Sequence, residues 1–325
     1  MPSLEESKDR YQGIFIAAPF PMKENFSVDL PKIQNCVEFL IDAGMEVGNA
    51  VYIVLGAGGE HMHLTVEERK AVAEASVQFA AGRLPVFVGV SHPSTLAAVE
   101  LARHAEEIGA DGLQVEPPYY FQGTSDDVFD YFRAISESVS IGLTAYNTPW
   151  TSGFDMDRHF LDRLADLKNI IGLKWYSAKP WEFVHVLQNY GHQFNIISNF
   201  NGAFVASAFI LGAKGYVSQG ANFAPRTHLK ILKLLRQKRY EEATHLYLRS
   251  EGVYYQAVTE LIQQGINGEG NFIKACMPLI GLPCGPARPP HRDPPPWFSE
   301  RVREALESVG ELQLTTDRNR QIEKA

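Results

Sequence analysis

Lys174 ends the apolar run Asn169-Ile170-Ile171-Gly172-Leu173-Lys174. Such a run reads as a buried strand. A primary amine at its carboxyl end is costly to desolvate in its charged form, so it is either neutral or reaches back to water. A neutral amine is a nucleophile that condenses with a carbonyl to give an imine. Taken alone, Lys174 reads as a strand-end lysine with its head in solvent. Its companions turn the reading toward imine chemistry. Pro117-Pro118-Tyr119-Tyr120 and Tyr146-Asn147-Thr148-Pro149 follow two earlier strand candidates. A phenol beside an imine-forming lysine can carry protons to and from the carbinolamine and a substrate hydroxyl. Gly56-Ala57-Gly58-Gly59-Glu60 follows another candidate, and its small residues, Gly58 and Gly59 above all, can present backbone N–H groups to a carboxylate.

The elements that must position these groups repeat. Strand candidates occupy residues 13–17, 51–55, 86–90, 112–115, 141–145, 170–174, 195–198 and 215–218. Helix-like segments separate them, one opening at Thr65 with Glu68 completing a capping box, others near Ser94, Ser125, Asp157, Lys179, Asn201 and Pro225. Gly44, Gly109 and Gly212 stand at three helix-to-strand junctions, where a left-handed helix cap wants glycine. Apolar strands alternating with helices imply a parallel sheet covered on both faces, and eight units in this length predict an α/β fold, a (β/α)8 TIM barrel. An open doubly wound sheet fits less well, since the first strand leads into Ala18-Pro19-Phe20-Pro21 rather than a glycine fingerprint. The expected division is a lead over 1–12, the barrel over 13–238, a helical extension over 239–312 packed on the barrel, and a frayed tail over 313–325.

Bulk properties narrow the function. The 325 residues are 45% hydrophobic, enough for one large core, and the net charge is −8 without a basic stripe. That balance argues against nucleic acid or an anionic membrane as partner. No apolar stretch is long enough to span a bilayer. Cys36, Cys276 and Cys284 have neither metal-ligand spacing nor an even count for disulfides, which suits a reducing, cytoplasmic setting. His61 and His63 would share a face in an extended segment, yet a metal site needs three or four arranged ligands, so the expected reading is a pocket mouth and no metal.

Taken together, the segments resemble the dihydrodipicolinate synthase / N-acetylneuraminate lyase family of class I aldolases. The resemblance runs from about Gly13 to Pro290. It is carried by residues 56–60 with Leu64-Thr65-Val66-Glu67-Glu68-Arg69, Pro118-Tyr119-Tyr120, Tyr146-Asn147-Thr148-Pro149, Gly172-Leu173-Lys174, Gly215-Tyr216-Val217-Ser218 and Gly285-Pro286-Ala287-Arg288-Pro289-Pro290. It implies that Lys174 forms an imine with a 2-oxo acid of the pyruvate type, without cofactor, and that Tyr146 moves protons. It implies that Tyr120 is lent across a subunit interface, that Val217 offers its carbonyl to the substrate, and that the protein is a homotetramer, a dimer of dimers.

Three departures bear on the substrate. The family's usual paired hydroxyls in the glycine-rich loop are replaced by Ala57 and Gly58. The arginine that dihydrodipicolinate synthases place five residues after the tyrosine is Thr151, which removes a bidentate carboxylate clamp. Trp150, Trp175, Tyr176 and Phe200 enrich the strand ends in aromatics. Trp150 and Trp175 are candidates to line a pocket for a bulky or aromatic aldehyde; packing beneath the helices is the competing reading. The expected activity is carbon–carbon lyase or aldolase chemistry. Dehydration of a sugar-derived 2-oxo acid such as 5-dehydro-4-deoxyglucarate, dihydrodipicolinate synthesis, and a non-catalytic binding paralogue are the alternatives. Glu60 is expected to cap nearby backbone N–H groups, Asn201 and Asn222 either to cap helices or touch a polyhydroxylated tail, Arg288 to anchor the C-terminal segment, and Cys276 to sit in the core.

Overall fold

The computed structural model describes residues 3–200 and 204–312. Eight strands, β1 (Gly13–Ala17), β2 (Ala50–Val54), β3 (Val86–Gly89), β4 (Gly112–Val115), β5 (Leu143–Asn147), β6 (Ile170–Trp175), β7 (Asn195–Ser198) and β8 (Gly215–Ser218), close in chain order into a barrel. Every pairing is parallel, and β8 returns to β1. This is the (β/α)8 barrel that the alternation predicts.

Two cores follow from the period of the strands. Phe15, Val51, Ile53, Phe87, Ile171 and Ile197 point inward and fill the barrel. Their neighbours Ile14, Ile16, Tyr52, Val88, Leu173 and Ile196 point outward and pack beneath the helices. The register between β5 and β6 slips once, with Leu143 opposite Ile170 but Thr144 opposite Gly172. This irregularity turns both Ile171 and Gly172 toward the interior: Ile171 joins the inner core, and a Cβ on Gly172 would lie 2.2 Å from the Tyr11 ring. The phase beyond it places Leu173 outward and Lys174 inward.

Several expectations shift in detail. β5 begins and ends two residues later than predicted, so Tyr146 lies within the strand instead of in the loop beyond it. The polar lead is a helix, Leu4–Arg10, with a capping box between Ser3 and Glu6. It delivers Tyr11 to the floor of the barrel, fully buried against Phe15 and Phe87. The Thr65–Glu68 capping box opens the helix Val66–Ala80 as predicted, and Gly44, Gly109 and Gly212 all adopt positive φ. The expected helix start at Asn201 and the tail over 313–325 lie outside the described residues.

After the helix Pro225–Arg236 come Tyr240–Arg249, Glu251–Gln263, Gly270–Cys276 and Pro296–Ser308. They are tied to the strand ends by buried polar contacts. Glu251 accepts hydrogen bonds from the Ser218 hydroxyl at 2.9 Å and from the amides of Gln219 and Gly220 at 2.8 and 2.7 Å. Lys274 forms a buried ion pair with Glu60. Arg288 donates to both oxygens of Glu68 and to the carbonyls of His63 and Phe26, the anchoring role expected of it. Among the described residues, no helix is long and apolar enough to cross a membrane.

Candidate active site

Lys174 and Tyr146 are partners in the β5–β6 register. Both side chains are buried, and the Lys174 Nζ lies 3.8 Å from the centre of the Tyr146 ring. The Tyr146 hydroxyl accepts a 2.8 Å hydrogen bond from the Asn199 amide. Burial pushes the phenol well above its ordinary range, with Glu269 and Glu116 adding to the effect and the hydrogen bonds of Thr148 and Asn199 opposing it. Burial also lowers the Lys174 ammonium below its ordinary value, while Glu116 and Glu269 pull it back up. The amine is therefore easier to deprotonate than a solvated lysine, beside a phenol that keeps its proton.

The Lys174 Nζ donates to Gln114 Oε1 at 3.3 Å, and Gln114 Nε2 donates to Glu116 Oε1 at 3.3 Å. Glu116 is buried at the mouth of β4, its backbone N–H donating to the Ser91 hydroxyl at 2.7 Å. Desolvation raises its carboxyl to about 7, against the opposing charge of Lys174. Glu269, half-buried just before the helix Gly270–Cys276, is also raised by desolvation, and Lys174 opposes that shift. Neither carboxylate, nor Gln114, nor Asn199 emerges from the motif-based reading. Gln114 on β4 and Glu116 just past its end had a visible mark: they are polar at alternate positions of an apolar run, hence on one face, and that face is the interior.

The other expected site residues divide. Trp150 is half-exposed at the mouth, edge-on to Tyr146 at 6.0 Å and to Tyr176 at 4.6 Å between ring centres. Tyr176 in turn meets Phe200 at 5.4 Å. Trp175 does not join them. Next to inward-facing Lys174 it points outward, is 1% exposed, and belongs to the helix-covered core, so its assignment to the substrate pocket is corrected. Tyr120 has φ of +88° and is 87% exposed, its ring edge-on to Phe121 at 4.8 Å between centres. Val217 is half-buried against the inner core.

The glycine-rich loop forms a 3-10 turn, Ala57–Gly59. The Gly59 N–H donates to the Gly56 carbonyl at 2.9 Å, so it is engaged within the turn rather than held for a ligand. Gly58 is wedged against Ala17 and Ile273, where an added Cβ would come within 3.1 and 3.2 Å. Glu60 has left-handed backbone and its carboxyl pairs with Lys274 instead of capping amides. His61 and His63 follow in a second turn that sends them apart, His61 buried against the Tyr119 ring and His63 to His291 at 3.3 Å. They share no face, contrary to the extended reading. Asn222 donates to the Ala17 and Gln219 carbonyls at 2.8 and 2.9 Å, a structural role, Cys276 is fully buried as expected, and Asn201 lies outside the described residues. Thr151 bonds the Thr148 hydroxyl at 2.8 Å and supplies no positive charge.

Known proteins match this arrangement along almost the whole chain. The model of the Dihydrodipicolinate synthetase family matches residues 10–307. The 4-hydroxy-tetrahydrodipicolinate synthase of Halorhodospira halophila is 33% identical over 66% of this chain and 72% of its own. The dihydrodipicolinate synthase of Aquifex aeolicus superimposes with a TM-score of 0.80 at 26% identity, over 93% of this chain and 99% of its own. YagE, a prophage protein of the dihydrodipicolinic acid synthase family from E. coli K12 solved in complex with pyruvate, gives 0.81 at 26% identity over the same shares. With its barrel, its strand-end lysine and tyrosine, and these matches in view, the chain belongs to the dihydrodipicolinate synthetase family.

Proposed function

We propose that the protein is a class I lyase that forms a Schiff base between Lys174 and a 2-oxo acid of the pyruvate type, then makes or breaks a carbon–carbon bond. The observation that carries this reading is the desolvated Lys174 amine lying over the Tyr146 ring. The neutral amine attacks the keto carbon, and the carbonyl oxygen takes a proton to give a carbinolamine. Loss of water leaves a protonated imine, which draws electrons from the adjacent carbon. That carbon gives up a proton to form an enamine, which adds to the aldehyde carbon while the aldehyde oxygen takes a proton; cleavage runs these steps in reverse, and water then hydrolyses the imine to free the 2-oxo acid and Lys174. Tyr146 holds and returns the protons, with Asn199 fixing its hydroxyl. The family relative bound to pyruvate supports the choice of 2-oxo acid.

Thr151 gives the aldehyde no cationic clamp, and Trp150, Tyr176 and Phe200 border the mouth with aromatic surface. Both features favour an uncharged, apolar aldehyde over the acidic one used in dihydrodipicolinate synthesis. The Gly58 amide is the candidate contact for the 2-oxo acid carboxylate, and the Val217 carbonyl for the substrate beyond it. The enzyme works without cofactor in the cytoplasm, as a homotetramer in which exposed Tyr120 reaches toward a neighbouring copy. Incubation with pyruvate and borohydride tests the central claim. The expected result is a reduced pyruvyl adduct on Lys174, absent from Lys174→Ala. No adduct, under conditions that label a control aldolase, overturns it.

A further inference from the structure

We propose that Gln114 and Glu116 form a relay that holds the protonated imine of Lys174, with Gln114 receiving its N–H and Glu116 acting as a positioning residue through the Gln114 amide. This rests on the Schiff-base reading above.

A buried amide on β4 and a buried carboxyl just past its end need partners, since each loses hydration on burial. Here they satisfy one another in a fixed sequence: Lys174 Nζ to Gln114 Oε1, then Gln114 Nε2 to Glu116 Oε1. An ionised carboxylate only accepts hydrogen bonds, so it selects the amide orientation that turns the NH2 toward itself. The carbonyl end is then left facing Lys174. That end can receive only an N–H. A free amine offers a lone pair for attack and can turn; a protonated imine keeps one N–H and no lone pair. The orientation enforced by Glu116 thus suits the imine more closely than the attacking amine.

The charge balance agrees. Amine plus ketone plus one proton gives protonated imine plus water: the C–N bond forms, the C–O bond breaks, and the departing oxygen leaves as water. The nitrogen retains one proton and a positive charge that the anionic Glu116 opposes through the polarised amide. The groups facing Glu116 are Lys174 on β6, Tyr146 on β5, Glu269 ahead of the helix Gly270–Cys276, Arg69 on the helix Val66–Ala80, Tyr119 after β4, and Tyr131 on the helix Ser125–Ser138. Arg69 is already committed to the carbonyls of Ser91 and Gly89 at 2.9 Å each. Lys174 is the cation that changes state during the reaction.

The test is the fraction of protein trapped by borohydride at a fixed pyruvate concentration, followed by mass across the pH range around the Glu116 ionisation near 7. The wild type should show an inflection there, with more adduct when Glu116 is ionised. Glu116→Gln should lose the inflection and trap about tenfold less, the equivalent of one pKa unit. Glu116→Asp should restore it. Adding Glu116→Gln to Gln114→Leu should change nothing further, because the relay is already cut. If the wild type traps no pyruvate, the Schiff-base reading falls and this proposal with it. If the wild type traps but Glu116→Gln keeps the inflection, Glu116→Asp behaves as Glu116→Gln, or the two substitutions act additively, this proposal alone is overturned.

Discussion

Tyr146 and Lys174 face each other across adjacent parallel strands, the amine over the ring face and the phenol hydroxyl bonded to Asn199 instead of to the amine. The ring and the hydroxyl therefore do separable jobs. The ring shields the amine, and the hydroxyl, held by Asn199, is left for the proton transfer proposed above. Tyr146→Phe should keep imine formation with pyruvate, because the ring remains. It should slow exchange of the pyruvate methyl protons with deuterium by roughly a hundredfold or more, the usual scale for losing an acid–base group. Proton NMR in heavy water reads the exchange, and borohydride trapping reads the imine. Loss of both together would mean that the hydroxyl is needed to build the site, not only to move protons.

The depressed Lys174 pKa sets the direction of a pH profile. Attack requires the neutral amine, whose fraction grows as pH rises toward the ammonium pKa. Burial lowers that pKa below the ordinary lysine value of 10.5. The initial rate of adduct formation should accordingly climb with pH and level off below pH 10.5. Glu116→Gln removes an anion that holds the ammonium in place, so the plateau should begin at lower pH even as the accumulated imine falls. Stopped-flow trapping separates the rate from the yield.

Gly58 explains the loss of a hydroxyl that the family resemblance led one to expect. Ile273, from the helix Gly270–Cys276, and Ala17, at the end of β1, occupy the space a side chain would need. Gly58→Thr should destabilise the fold by about 1–3 kcal/mol, in the range for overpacking. Gly58→Thr combined with Ile273→Val should recover part of that loss, because the isoleucine δ-methyl, 3.2 Å from the added Cβ, is removed. Urea denaturation measures both. Full stability of the single variant would remove packing as the reason for the glycine.

The barrel was legible because its strands are continuous apolar runs and its helices carry caps, as at Thr65–Glu68 and the positive-φ Gly44, Gly109 and Gly212. The site was legible only where a residue type announces its chemistry, as Lys174 and Tyr146 do. Trp175 adjoins the lysine in the motif, but the strand period sends the neighbour of an inward lysine outward. Gln114 and Glu116 escape a motif-based reading for the converse reason, although their alternation at the end of β4 gives them one shared face. Glu60 and Glu269 could not be placed from sequence, because their partners come from elements distant in the chain, Lys274 for the first and Lys174 of β6 for the second. The helix over Leu4–Arg10 is too short and polar to betray itself by periodicity and is legible only through its Ser3–Glu6 cap.

Glu251 tests whether the C-terminal helices belong energetically to the barrel. One of its oxygens accepts from Ser218, Gln219 and Gly220 at the end of β8, and the other lies 3.5 Å from His228 Nε2. All of these groups are buried. Glu251→Ala would strip the acceptor from three donors that water cannot reach, so the expected loss is about 3–5 kcal/mol, the scale for breaking a buried charged network. Glu251→Gln keeps an acceptor oxygen of the same reach and avoids burying a carboxylate that desolvation raises to about 7. It should cost well under half as much. Denaturant midpoints of the two variants, with a check that each melts in a single transition, decide the matter. Equal losses would show that the network depends on the carboxylate charge, and no loss from Glu251→Ala would show that the helices are held by apolar packing alone.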